Sequence, residues 1–184
     1  MDPRPPLRST HLSGSLVFDR WGRYGRPVLL LHGLLFDRTM WWPVGAELAG
    51  VCSVIAPDLP GHGDSPACED PDPQRLARDL ATLVNRLDLH RAPIVVGHAT
   101  SAPLAAAFAG AYATHHVRTI DERAVGDLSE VPECYRPYAQ PRHDRALLHA
   151  YAGWADPVGA PSRTASFPHL TDPAAFAESL RTLL

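Results

Sequence analysis

Residues 28–31, Val28-Leu29-Leu30-Leu31, form a near-continuous apolar run after the Gly- and Pro-marked turn at residues 22–27, and residues 51–56 and 93–98 repeat that pattern. Short apolar runs bounded by turn residues are what strands buried on both faces of a parallel sheet require. Residues 13–19 also have strand-like character. Between the apolar runs lie helical patterns. The clearest covers residues 74–87, where Leu76, Leu80, Leu83, Val84 and Leu87 recur at spacings of three and four and Pro73 stands at the start. Residues 39–49 read as a second helix. Residues 102–115 are alanine-rich with few charges, which suits a helix packed against the sheet. The Pro- and Gly-rich stretch 57–73 reads as a long loop. Strands alternating with helices predict a three-layer α/β sandwich around a mostly parallel sheet with right-handed crossovers.

The pattern weakens after about His116. Residues 117–120 are the stub of another strand, residues 121–143 are interrupted by Pro132, Pro137 and Pro141, and residues 144–154 read as one amphipathic helix. Regularity returns at the end, where Thr171 or Asp172 caps a helix with Phe176, Leu180 and Leu183 on one side. A chain of 184 residues with 45% hydrophobic content buries one substantial core, so residues 1–184 are read as a single domain.

A formal net charge of -3 and scattered arginines, with no lysine, give no basic footprint for nucleic acid. No uninterrupted apolar run of 18 residues is present, and residues 1–8 lack the apolar centre of a signal peptide, so no membrane association and a cytoplasmic location are expected. Cys52, Cys68 and Cys134 suit neither a disulfide framework nor a zinc site and read as reduced thiols. His115 and His116 are expected to end the 102–115 helix, where positive charge suits the dipole. No H-E-x-x-H or comparable spacing appears, so neither a metal nor another cofactor is expected.

The chemistry concentrates in residues 94–101, Ile94-Val95-Val96-Gly97-His98-Ala99-Thr100-Ser101, which resemble the strand-to-helix nucleophile elbow G-x-S-x-G with alanine at the apex. Two further blocks keep the matching order: Val28-Leu29-Leu30-Leu31-His32-Gly33-Leu34, ending in a His-Gly pair, and Asp58-Leu59-Pro60-Gly61-His62-Gly63-Asp64-Ser65, similar to D-x-x-G-x-G-x-S. Together they resemble the α/β-hydrolase superfamily, in particular its esterase, lactonase and dehalogenase-like members. Residues 166–173, Ser166-Phe167-Pro168-His169-Leu170-Thr171-Asp172-Pro173, resemble that family's G-H-F-P-H-L-x-D-P ending, with Ser166 where its catalytic histidine falls. The resemblance makes residues 121–155 a residual cap and the last strands missing or shortened.

On this resemblance Ala99 holds the nucleophile position, where a methyl group attacks nothing. Asp156 is the candidate acid; it equally suits the end of the preceding helix, and its gap to Ser166 is too short for the usual helix and strand. His169 is the candidate base, at a position that packs rather than catalyses in the family. The backbone amides of Leu34 and Thr100 are expected to aim at the place where a carbonyl oxygen becomes negative, whatever their side chains, with His32 and Gly33 shaping the loop. Trp41, with Phe36 and Trp42, is expected to line the acyl pocket, and Trp154, Tyr135 and Tyr138 to close over it.

The implied protein is of serine-hydrolase lineage, directed to a small apolar ester-like molecule and hydrolytically inactive as written. Three accounts stand open. One is a serine hydrolase whose serine has been replaced. Another is a non-hydrolytic relative, either a binding or partner protein or one using the pocket for lyase- or cyclase-type chemistry. The third is a shortened or internally deleted product, or a sequence with segments missing. A homodimer that covers the shortened sheet edge belongs with the binding reading.

Overall fold

The computed structural model describes residues 8–120, 128–154 and 167–184. Its sheet has six strands in the order β1-β2-β4-β3-β5-β6: β1 Ser9–Ser13, β2 Leu16–Trp21, β3 Pro27–Leu31, β4 Ser53–Pro57, β5 Ile94–His98 and β6 His116–Ile120. The hairpin β1-β2 is antiparallel, as is β2 against β4, while β3, β4, β5 and β6 run parallel.

Side-chain alternation along β3 divides the core into two layers. Leu29 and Leu31 join Leu76, Leu80 and Leu83 of α2 (Pro73–Arg86) and Leu104 and Phe108 of α3 (Ala102–Ala111). Val28 and Leu30 join Val44 and Leu48 of α1 (Trp42–Leu48) and Phe176 and Leu180 of α6 (Pro173–Arg181) on the other face. The result is the expected three-layer α/β arrangement. Pairing of Leu31 with Gly97 and of His98 with Ile120 aligns the carboxyl ends of the central strands, so the loop after β3 and the turn after β5 meet at one edge.

Several boundaries differ from the sequence expectation, each for a local reason. Residues 13–19 are not one strand: Gly14, at φ +61°, turns the chain between β1 and β2, and Ser13 pairs with Leu16. The 102–115 helix stops at Ala111. Tyr112 is extended, its N–H closing on the Phe108 carbonyl, and the His115 N–H donates to the Pro93 carbonyl at 2.8 Å. That bond leads into β6, whose first residue, His116, pairs with Ile94, so the two histidines do not end a helix. The presumed stub at 117–120 pairs with β5 along five residues and forms the sheet edge among the described residues.

Residues 128–154 contain 3-10 segments Leu128–Glu130 and Glu133–Ala139 and the short helix α4, Arg145–Ala150. Asp144 caps α4 by accepting from the Ala146 and Leu147 amides, but the helix does not continue to Trp154. The Tyr151 hydroxyl donates to the Pro60 carbonyl at 2.9 Å and the Trp154 indole to the Pro71 carbonyl at 2.6 Å, which turns the chain onto the loop before α2. Helix α5, Pro168–Thr171, precedes α6, and the Asp172 carboxylate caps α6 at the Ala175 amide. No described helix is long and apolar enough to cross a membrane.

Candidate functional site

Strand β5 ends at His98, residues Ala99–Ser101 form a 3-10 turn, and α3 follows. Ala99 has φ +54°, a left-handed conformation that crowds its Cβ against the following carbonyl. Gly97 makes the close return of the helix possible. A Cβ there would stand 3.0 Å from the Ser101 carbonyl oxygen and 3.2 Å from Ala105 Cβ. The sequence expectation of a tight strand-to-helix turn at 94–101 agrees with this geometry.

The loop after β3 is fastened to that turn by two hydroxyl groups. Ser101 Oγ donates to the buried His32 carbonyl, and the Leu34 N–H donates to Thr100 Oγ1 at 2.5 Å. The Leu34 amide, expected from the sequence to aim at the place where a carbonyl oxygen becomes negative, is engaged by the Thr100 hydroxyl. No local sequence signal announces a side chain meeting a backbone group 66 residues away. Leu35 adopts φ +69°, and the Phe36 N–H closes a turn on the Gly33 carbonyl at 3.1 Å.

Two buried histidines hold the loop in place. Gly33 O accepts only, so His32 Nδ1, 2.9 Å away, carries the proton and Nε2 accepts from the Leu59 N–H at 2.9 Å. By the same logic His62 Nδ1–H donates to the Pro60 carbonyl at 3.2 Å, and its Nε2 accepts from the Leu35 N–H at 3.3 Å. Both rings are therefore neutral. Burial, the largest influence, pushes His32 down to about 4 and His62 down to about 3 from 6.5, with each ring's neighbouring histidine lowering it further.

Beneath the loop, Arg38 gathers three carboxylates. Its guanidinium pairs with Asp58, with Asp64 at 2.7 Å and with Asp19 at 3.3 Å, and its backbone N–H donates to Asp58 at 2.8 Å. Asp19 and Asp58 are fully buried. Asp19 also accepts from the Trp42 indole at 2.7 Å. The sequence signal for Arg38 is that it is the one arginine between Arg26 and Arg75, a stretch whose Asp58 and Asp64 need a cation.

Aromatic rings fill the space above the turn. His98 stacks on Phe167 with centroids 5.6 Å apart, Phe36 meets both edge-on, and Trp41 lies 4.3 Å from His169. Trp41 and His169 are fully buried, and Trp41 belongs to the core layer of Val28, Leu30 and Phe176. Among the described residues neither His169 nitrogen has a hydrogen-bond partner, and burial pushes this imidazole well below 6.5, leaving it neutral. Its ring centre is 5.3 Å from that of His98. Trp154 packs in the α2-α3 layer and not over Trp41, whereas Tyr138 meets Trp42. Asp156 and Ser166 lie outside the described residues. Two surface cavities, of about 310 Å³ beside Leu89 and Tyr112 and about 360 Å³ beside Pro60 and Cys68, are lined by none of Leu34, Ala99 or Trp41. Among the described residues no three His, Cys, Asp or Glu side chains are grouped to hold a metal ion.

The profile of the Alpha/beta hydrolase family matches residues 28–183. The chain belongs to this family. An uncharacterized protein of Mycobacterium tuberculosis is 34% identical over 125 residues, covering 67% of this chain and 36% of that protein. Among solved structures, a thermophilic esterase from Thermogutta terrifontis with malate bound is 34% identical, with TM-score 0.55, over 66% of this chain and 47% of its own. The Cif epoxide hydrolase from Acinetobacter nosocomialis has TM-score 0.58 over 72% of this chain and 43% of its own; at 19% identity it speaks for the fold alone. The chain thus spans about a third of the curated relative and under half of these two structures. Its fold is that of the alpha/beta hydrolases, with hydrolases among its neighbours.

Proposed function

We propose that this alpha/beta hydrolase family member is of serine-hydrolase lineage, is hydrolytically inactive, and binds a small, largely apolar ester or acyl compound without cleaving it. The observation that carries the reading is Ala99. It occupies the strained apex between β5 and α3 at φ +54°, where the G-x-S-x-G pattern places a nucleophile, and it offers only a methyl group. Loss of the nucleophile in a catalytic triad costs about a millionfold in turnover, because the members act as a unit.

The surroundings of the apex support inactivity. His169, the candidate base, lies against Trp41 in the core. Phe167 and Phe36 pack on His98, the residue before the apex. The esterase relative supports an ester or acyl ligand, and its bound malate supports a carboxylate as a usable probe. A binding role also accommodates a second copy of the chain along the outer edge of β6.

The test compares the unaltered chain with Ala99→Ser on p-nitrophenyl butyrate. The expected result is no p-nitrophenol release above buffer from the unaltered chain, and no turnover from Ala99→Ser. Turnover by the unaltered chain overturns the proposal. Turnover by Ala99→Ser alone shows instead that a working base is present and that alanine by itself silences a complete site.

A further inference from the structure

The two residues after the apex both carry hydroxyl groups, and both hydroxyls are used on the backbone of the facing loop. Ser101 Oγ is buried and donates to the His32 carbonyl. Thr100 Oγ1 accepts from the Leu34 N–H at 2.5 Å. The loop cannot easily turn this amide elsewhere. Gly33 sits against the apex, the Phe36 N–H closes on the Gly33 carbonyl, and the next amide, Leu35 N–H, is committed to His62 Nε2. The Leu34 N–H therefore faces the turn after β5, and the group that meets it there is an uncharged oxygen belonging to the protein.

We infer that Thr100 is the residue that sets ligand affinity at this site: its hydroxyl occupies the Leu34 amide as an internal stand-in for a ligand oxygen, and a carbonyl or carboxylate binds only by displacing it. The inference rests on the binding reading above and adds which side chain sets its affinity. The physical argument is one of exchange. A ligand oxygen reaching Leu34 gains one N–H···O bond and breaks another of the same kind, so the contact contributes little net affinity while Thr100 is present. Removing the side chain leaves the amide in need of an acceptor and opens the space for it. Serine keeps an oxygen at the same atom position and preserves the block.

Butyrate titration followed by amide NMR of the full chain tests this. With Thr100→Ala, the Leu34 amide resonance is expected to shift saturably, with a dissociation constant roughly two- to tenfold lower than in the unaltered chain, the range that one net hydrogen bond spans. Thr100→Ser is expected to match the unaltered chain, and Thr100→Gly serves as a second opening variant if the alanine protein does not fold. Equal dissociation constants for the unaltered and opened chains overturn the inference while leaving the binding reading intact. Absence of any response at Leu34 in every variant overturns both. In the unaltered chain alone, hydrogen exchange of the Leu34 amide at the rate of an unprotected group overturns the inference whatever the variants do.

Discussion

Gly33 and Ala99 lie against each other where β3 and β5 end: a Cβ built on Gly33 would stand 3.4 Å from the Ala99 methyl carbon and 2.8 Å from His98 Nδ1. The first distance is ordinary contact; the second forces the imidazole to move. Because His98 is packed between Phe36 and Phe167, that movement disturbs the aromatic cluster. Gly33→Ala is expected to cost about 1–3 kcal/mol, as overpacking of a core does. Urea unfolding measures it, and a midpoint unchanged from the parent contradicts the packing described.

The left-handed backbone at Ala99 gives a prediction of opposite sign for two substitutions. Glycine removes a clash worth roughly 1–2 kcal/mol, offset in part by its larger unfolded-state entropy of about 0.5–1 kcal/mol. Ala99→Gly is therefore expected to unfold at slightly higher urea than the parent, and Ala99→Val, β-branched at the same φ, at clearly lower urea. The reverse order contradicts a strained apex.

Arg38 is the common partner of Asp19 and Asp58, both fully buried. Arg38→Met removes the guanidinium those two carboxylates share while keeping most of the side-chain volume. The expected loss is about 3–5 kcal/mol, the usual cost of breaking a buried pair from one side. Thermal unfolding checks it, and a loss under about 1 kcal/mol, the range of an exposed ion pair, contradicts a structural role for the cluster.

His32 and His62 make acid stability a test of their buried neutral state. Held at about 4 and about 3 in the folded chain against 6.5 otherwise, each binds its proton more readily once unfolded. Their contribution is complete above about pH 6.5 and is lost as pH falls from there towards those lower values. The slope is up to about 1.4 kcal/mol per pH unit for each ring. Unfolding midpoints between pH 7 and pH 4 measure it. His62→Gln, which retains an acceptor for the Leu35 N–H, is expected to flatten the slope, and an unchanged slope contradicts the assignment.

The parts of the fold legible in sequence were those where one pattern decided the structure. The spacing of Leu76, Leu80, Leu83 and Val84 matches α2, and the apolar run at 28–31 matches β3. Residues 13–19 misled because Gly14 divides them by backbone conformation, while Leu12, on β1, remains 70% exposed and leaves no apolar alternation to read. The alanine-rich stretch after Ala102 has no stop residue at Tyr112; the pairing of His116 with Ile94 ends that helix from outside. At the candidate site, Ala99 was legible because motif and turn coincide. The bond from the Leu34 amide to Thr100 and the burial of His169 against Trp41 were not, since both depend on segments brought together by folding.

Intact-mass measurement of the unaltered chain after incubation with excess p-nitrophenyl butyrate addresses the inactive apex most directly. The account predicts the parent mass alone, with no p-nitrophenol released above buffer. A butyryl adduct on the protein, or sustained release of p-nitrophenol, contradicts it.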